Sequence, residues 1–252
     1  MGVVIFLIIL IGAWQGFYWL GVETLGIYKS YAFPSPIGVF ERFMELSEDG
    51  SLWEALGNSL IRGFTGFVIA VIIGFLLGIV IHQFKFAQKS VKPIILGVQT
   101  LPSVCWVPFS ILWFGLSAEA ILFVVVMGSA FSISISVDNA IQNVPPIYKK
   151  AASTMGAGKK QLYWHVIFPA ALPELIAGLK QGWSFAWRAL MAGEVMTTSI
   201  GLGQTLIMGR DLADINQVTL VMLVIVAVGI IIDKLGFSMI EKKILKKRGL
   251  LT

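Results

Sequence analysis

The sequence predicts an all-α membrane protein: six transmembrane helices in a single transmembrane domain spanning residues 1–252. Three observations carry that prediction. Hydrophobic residues make up 57% of the chain and charged residues only 13%, where a soluble domain carries roughly 25% charged residues. The apolar residues gather in runs long enough to cross a hydrocarbon core about 30 Å thick. Most Lys and Arg, finally, are gathered into one set of the loops between those runs. The net charge of +5 is therefore a topology signal and not a nucleic-acid footprint. The single cysteine, Cys105, lies in an apolar segment, has no intrachain disulfide partner and reads as a packing residue.

In chain order, residues 3–20 form the first apolar run. It lacks a basic leading region and a small-residue cleavage site, so it reads as a retained helix and not a signal peptide. Residues 22–60 are amphipathic and acidic, with Glu23, Glu41, Glu45, Glu48, Asp49 and Glu54 against Lys29 and Arg42, and read as an external segment. Within it, Pro34-Ser35-Pro36 starts a surface helix carrying Phe40, Phe43 and Leu46. The second span covers 63–81 and the third 93–115, with the stretch LPSVCWVPFSILWFG. The fourth covers 120–137, the fifth about 173–196 and the sixth about 218–237. Gly12/Gly16, Gly74/Gly78 and Gly178/Gly182 are small-residue pairs one turn apart, which let helices approach closely.

Orientation follows from the basic residues. Lys85, Lys89 and Lys92 share one side with Lys149, Lys150, Lys159 and Lys160, and with Lys234, Lys242, Lys243, Lys246, Lys247 and Arg248. Only Lys29, Arg42, Arg62 and Arg210 fall opposite. Loops rich in Lys and Arg stay cytoplasmic, which places both termini and the 138–172 loop there.

That loop has internal order. Over 148–173 it reads YKKAASTMGAGKKQLYWHVIFPAALP. A Pro145-Pro146 pair precedes a small-residue helix, Gly156-Ala157-Gly158 makes a turn, and a second helix runs toward Pro169 and Pro173. An exposed Ala/Gly corner fed by two spans is a part for another protein to grip.

No enzymatic constellation accompanies it. The run GAGKKQ at 156–161 resembles a phosphate-binding loop only superficially. Ser153 stands where the first Gly is required, Lys160 replaces the hydroxyl residue, and no strand precedes the loop. The two histidines, His82 and His165, are far apart and have no Cys or carboxylate cluster at metal spacing. ATP-driven work would have to be done by another chain.

Charges inside the fifth span point to a different chemistry. At 100° per residue, Lys180, Trp187, Met191 and Glu194 share one face, Trp183 lies at its edge, and Arg188 is beside it. A charge near the bilayer centre costs roughly 2.5–3.5 kcal/mol on insertion scales, so such residues face protein or water. Two readings follow. Arg188 or Lys180 meets an anionic solute while Trp187 shapes its route. Alternatively, Lys180 snorkels to the membrane surface and Arg188 pairs structurally with Glu194 or a neighbouring span. In the third span, Trp106 and Trp113 share a face near Pro102 and Pro108, in the stretch that also holds Ser103. Prolines there either line a route or bend a packed helix.

The loop resembles that of ABC importer permeases, whose signature is Glu-Ala-Ala, three residues, Gly, nine residues, Ile-x-Leu-Pro. Ala151, Ala152, Gly156, Val166, Phe168 and Pro169 fall at those spacings, and Lys150 replaces the Glu. With LPSVCWVPFSILWFG, WRALMAGEVM and GLGQ, the chain is similar to the nitrate/sulfonate/taurine/bicarbonate branch of binding-protein-dependent permeases. The resemblance implies a type I ABC importer permease fold in an inner or plasma membrane, with alternating access. It implies two ATPase subunits that bind ATP and Mg, a second permease copy and an external solute-binding protein. It also implies that Lys150, Ala151, Ala152, Gly156 and Ala157 couple to the ATPase. Arg188, Trp187, Glu194, Lys180, Trp106 and Ser103 are then the pathway candidates. The same branch includes permeases for heterocyclic vitamin precursors. An ion-gradient-driven transporter and a membrane scaffold are the rivals from other classes. The first calls for inverted repeats that the sequence does not display, and the second has no need of charges inside a span.

Overall fold

The computed structural model describes residues 2–29 and 31–247, so Arg248, counted with the basic tail, lies outside the described residues. Among the described residues every regular element is a helix. Two compact units result. One comprises Met1–Leu60 with Glu194–Val228, and the other Ile61–Gly193 with Gly229–Thr252.

In the first unit, α1 spans Gly2–Tyr18, 17 residues that cover most of the first predicted run. Helix α2 spans Pro36–Glu48 and starts where the sequence said. The Ser35 hydroxyl accepts the Gly38 N–H at 2.9 Å, and Pro36 takes a first-turn position where no N–H is missed. Val39 and Leu46 are buried while Phe40 stays exposed. Helix α3, Ser51–Gln83, begins in this unit, so the predicted 22–60 segment holds α2 and the first turns of a membrane helix. The unit also holds α10, Leu202–Asp211, and most of α11, Ile215–Ile231. Arg42 braces α2 through Asp214 at 3.0 Å and Gln217 at 2.8 Å.

The second unit contains the rest of α3, then α4, Lys92–Gln99, and α5, Val107–Phe114. After these come α6, Ala118–Gln142; α7, Pro146–Thr154; α8, Lys159–Gln161; and α9, Phe168–Val195, whose last residues belong to the first unit. Helix α12, Ser238–Lys247, follows a π-turn at Ile232–Phe237. The core is aliphatic: Ala70 of α3, Ala130, Ile133, Val137 and Ala140 of α6, and Ala171 and Leu175 of α9. Its small members reflect close helix approach. A Cβ on Gly74 or Gly78 would collide with α6 backbone, and one on Gly178 or Gly182 with Ser136 or Ile133 of α6. A Cβ on Gly12 or Gly16, in contrast, would meet nothing within 4 Å among the described residues.

Among the described residues four helices are long and apolar enough to cross a membrane, Ser51–Gln83, Ala118–Gln142, Lys159–Val195 and Ile215–Ile244, and a bent pair of helices would make a fifth span. Their outward residues stay apolar, with Val68, Ile72 and Leu76 of α3 and Met222 and Val226 of α11 all exposed. Lipid is the solvent such surfaces require.

The third predicted span, 93–115, differs from a straight helix. It is two pieces, Ala87–Gln99 and Ser103–Phe114, bent by 100°. Pro102 is extended (φ −55°, ψ 137°), and a proline ring disfavours the helical region for the residue before it, here Leu101. Pro108, by contrast, sits in the first turn of α5, where its missing N–H costs nothing. The fifth span differs in the opposite sense. The prolines expected to close the loop do not stop the helix, which runs without a break from Lys159 to Val195 through Pro169 and Pro173. A π-turn at Leu162–Ile167 shifts the hydrogen-bond register just before them.

Candidate functional site

Two places in the second unit gather the predicted residues. The first is the corner between α7 and α8. Helix α7 ends in a Schellman cap: the Ala157 N–H reaches the Ala152 carbonyl at 3.0 Å and the Gly156 N–H reaches Ser153 at 3.0 Å. Gly156 takes φ +81°, a left-handed conformation that suits glycine, and a Cβ there would point into open space. Gln161 closes the other side by accepting the Gly158 N–H at 3.0 Å. Lys150 and Ala151 are exposed and Ala152 is buried, so the predicted helix–turn–helix is present with its corner bare. Sequence reasoning missed the apolar residues beside it. Ile147 and Met155 are exposed, Met155 to 87%, and with Ala151 they repeat every four residues along one helix face. That i, i+4, i+8 spacing was the available signal.

The second place is the bend before α5. A cavity of about 300 Å³ there is lined by residues 98–103, Trp106, Met127, Gly128, Phe185 and Arg188. It unites three predicted pathway residues: Ser103 and Trp106 beyond the bend and Arg188 on α9. Gly128 brings α6 against α9 beside it, since a Cβ there would meet Ala189 at 2.7 Å. Arg188 donates from Nε to the Ser184 carbonyl at 3.0 Å, and its guanidinium lies over the Phe185 ring at 4.7 Å. Among the described residues no carboxylate pairs with Arg188. Gln99 also lines the cavity; its amide offers N–H donors, and its buried Oε1, an acceptor, has no hydrogen-bond partner among the described residues. A guanidinium, an amide and a hydroxyl around one small cavity are the donors an oxyanion calls for.

The other three candidates lie outside this cavity. Trp187 is buried in the second unit and stacks on Trp183 with centroids 5.9 Å apart. Lys180 pairs with Asp233 at 3.2 Å and reaches Ser238 at 3.3 Å. Glu194, in the first unit, is fully buried. It accepts from Ser59 Oγ at 2.8 Å and from the Gly203 N–H at 3.0 Å, while Ser59 Oγ accepts the Leu202 N–H at 2.8 Å. Glu194 therefore clasps the turn before α10. Nothing in the spacing of Lys180 or Glu194 pointed to partners 53 and 135 residues away.

Among the described residues, an all-helical fold with several bilayer-length apolar helices, a bent half-span and a bare helix–turn–helix corner defines a multi-pass membrane protein. The chain belongs to the family of binding-protein-dependent transport system inner membrane components, whose model matches residues 55–246. It is 26% identical over 237 residues to the taurine transport system permease protein TauC of Escherichia coli, covering 92% of this chain and 86% of that one. The nitrate import permease protein NrtB of Synechocystis is 27% identical over 210 residues, covering 80% and 76%. Among solved structures, the inward-facing MetNI methionine ABC transporter matches with a TM-score of 0.59 at 23% identity. The match covers 81% of this chain and 98% of that one, and the likeness is one of fold.

Proposed function

We propose that this chain is the permease subunit of an ATP-driven importer for a small anionic solute of the sulfonate, taurine, nitrate or bicarbonate type. The observation that carries the reading is Arg188, a cation in a membrane-spanning helix with no carboxylate partner among the described residues, facing a cavity of about 300 Å³. The taurine and nitrate permeases it resembles support the same solute class. In this reading two copies of the chain enclose the pathway and an external binding protein delivers solute. Two ATPase subunits dock at the corner formed by Lys150, Ala151, Ala152, Gly156 and Ala157. Both termini and that corner face the cytoplasm, as the distribution of Lys and Arg supports. Closure of the ATPases on ATP and Mg moves the corners, and the cavity at the bend opens alternately to each side.

Purification in mild detergent tests the assembly. A co-purifying subunit that hydrolyses Mg-ATP is expected, and proteoliposomes of the complex should take up a radiolabelled sulfonate only with internal ATP. Uptake that survives ATP depletion and collapses with the ion gradient would replace this reading with a secondary transporter. Competition by a neutral aminopyrimidine, and not by sulfonate or nitrate, would move the solute class.

A further inference from the structure

A second, larger cavity of about 550 Å³ lies in the second unit, away from Arg188. Its walls are apolar: Phe75 and Ile79 of α3, Ile141 of α6 and Leu175 of α9. Lys159, Lys160 and Trp164 also line it, and its other polar residues are His82, Gln83 and Tyr163. Both lysines are exposed, and neither forms an ion pair among the described residues. Apolar walls of this size match a small-ligand site, yet a soluble anion has no use for them. The two lysines have no use for a purely apolar guest. An amphiphile satisfies both, with a chain along the walls and a negative headgroup at the ammonium groups. Trp164, 65% exposed beside the lysines, is the residue type that sits at headgroup level.

We propose that this cleft binds one anionic phospholipid, an acyl chain lying along Phe75, Ile79, Ile141 and Leu175 and the phosphate held by Lys159 and Lys160. The site is distinct from the solute pathway, and it requires no particular solute. Because the lysines begin the helix that leads from the docking corner, a bound lipid ties that corner to the membrane surface.

Native mass spectrometry of the full-length chain, extracted with whatever subunits accompany it, tests the assignment. The probes are dioleoylphosphatidylglycerol and dioleoylphosphatidylcholine, which share their acyl chains. Phosphatidylglycerol should be retained with at least tenfold preference. Each lysine contributes about fivefold, so K159A/K160A should bring retention down to the phosphatidylcholine level. In wild-type protein, phosphatidylglycerol with brominated chains should quench a fluorescence component that W164F lacks, a readout that does not depend on removing the lysines. Equal retention of the two lipids would reduce the cleft to a place filled by bulk lipid. Unchanged retention by K159A/K160A would remove the headgroup contact, and displacement by inorganic phosphate would make it a site for free anions. Each of those results overturns the proposal.

Discussion

Three features surround the Arg188 guanidinium: the Ser184 carbonyl, the Phe185 ring and an open cavity. Removing the guanidinium should therefore spare folding and strike transport. We expect R188A to insert and assemble normally while uptake of the anionic solute falls about tenfold or more, with R188K intermediate because an ammonium lacks the planar fork. Unchanged uptake kinetics at equal expression would return Arg188 to a structural role. Gly156 offers a second test. Its φ of +81° and the open space around it mean that a side chain meets backbone strain and an approaching partner, and nothing within the chain. G156D should leave membrane insertion intact and uncouple ATP hydrolysis from uptake, and coupled uptake by that variant would show that the corner is not the grip. The face of Arg188 was legible from the helical period. The burial of Trp187, one residue earlier, was not, because a 100° step separates solvent from core and the sequence does not say which neighbour covers which face.

Among the elements, the spans themselves were readable. Runs of apolar residues fix where helices lie, and Ser35, Pro36 and the Gly156 turn mark ends by their own backbone chemistry. A bend near Pro102 was one of the two readings the prolines offered, but its size was not readable, because Pro102 and Pro108 suit either a kinked helix or two half-helices. Which occurs depends on whether neighbouring helices re-satisfy the freed backbone groups. The continuation through Pro169 and Pro173 escaped for the converse reason: a π-turn upstream accommodated prolines that usually end a helix. Glu194, Ser59 and the turn before α10 form the other element-scale device. Ser59→Ala leaves the buried Leu202 N–H without its acceptor and strips a donor from Glu194. It should lower stability by about 1–3 kcal/mol. The measurement is a thermal melt in detergent, and a melting temperature equal to wild type would mean that the turn holds without the clasp.

For the molecule as a whole, the decisive issue is which side of the membrane each loop occupies. The proposed reading puts the corner between α7 and α8 in the cytoplasm, and Met155, 87% exposed at that corner, is the natural reporter. With Cys105 replaced by Ser, M155C should react with an impermeant maleimide in inside-out vesicles and be silent in intact cells. Labelling in intact cells would invert the topology.

The unbroken helix from Lys159 to Val195 has a mechanical consequence. Arg188 stands 29 residues from its start, about 44 Å along the axis at 1.5 Å per residue. The corner between α7 and α8 and the cavity at Arg188 thus lie toward opposite ends of one continuous helix. A tilt of about 5° at the corner carries Arg188 sideways by about 4 Å, roughly the reach of a hydrogen bond plus an atom. On the proposed reading, a rotation imposed at the corner needs no relay of side chains to reach Arg188, because one continuous helix carries both.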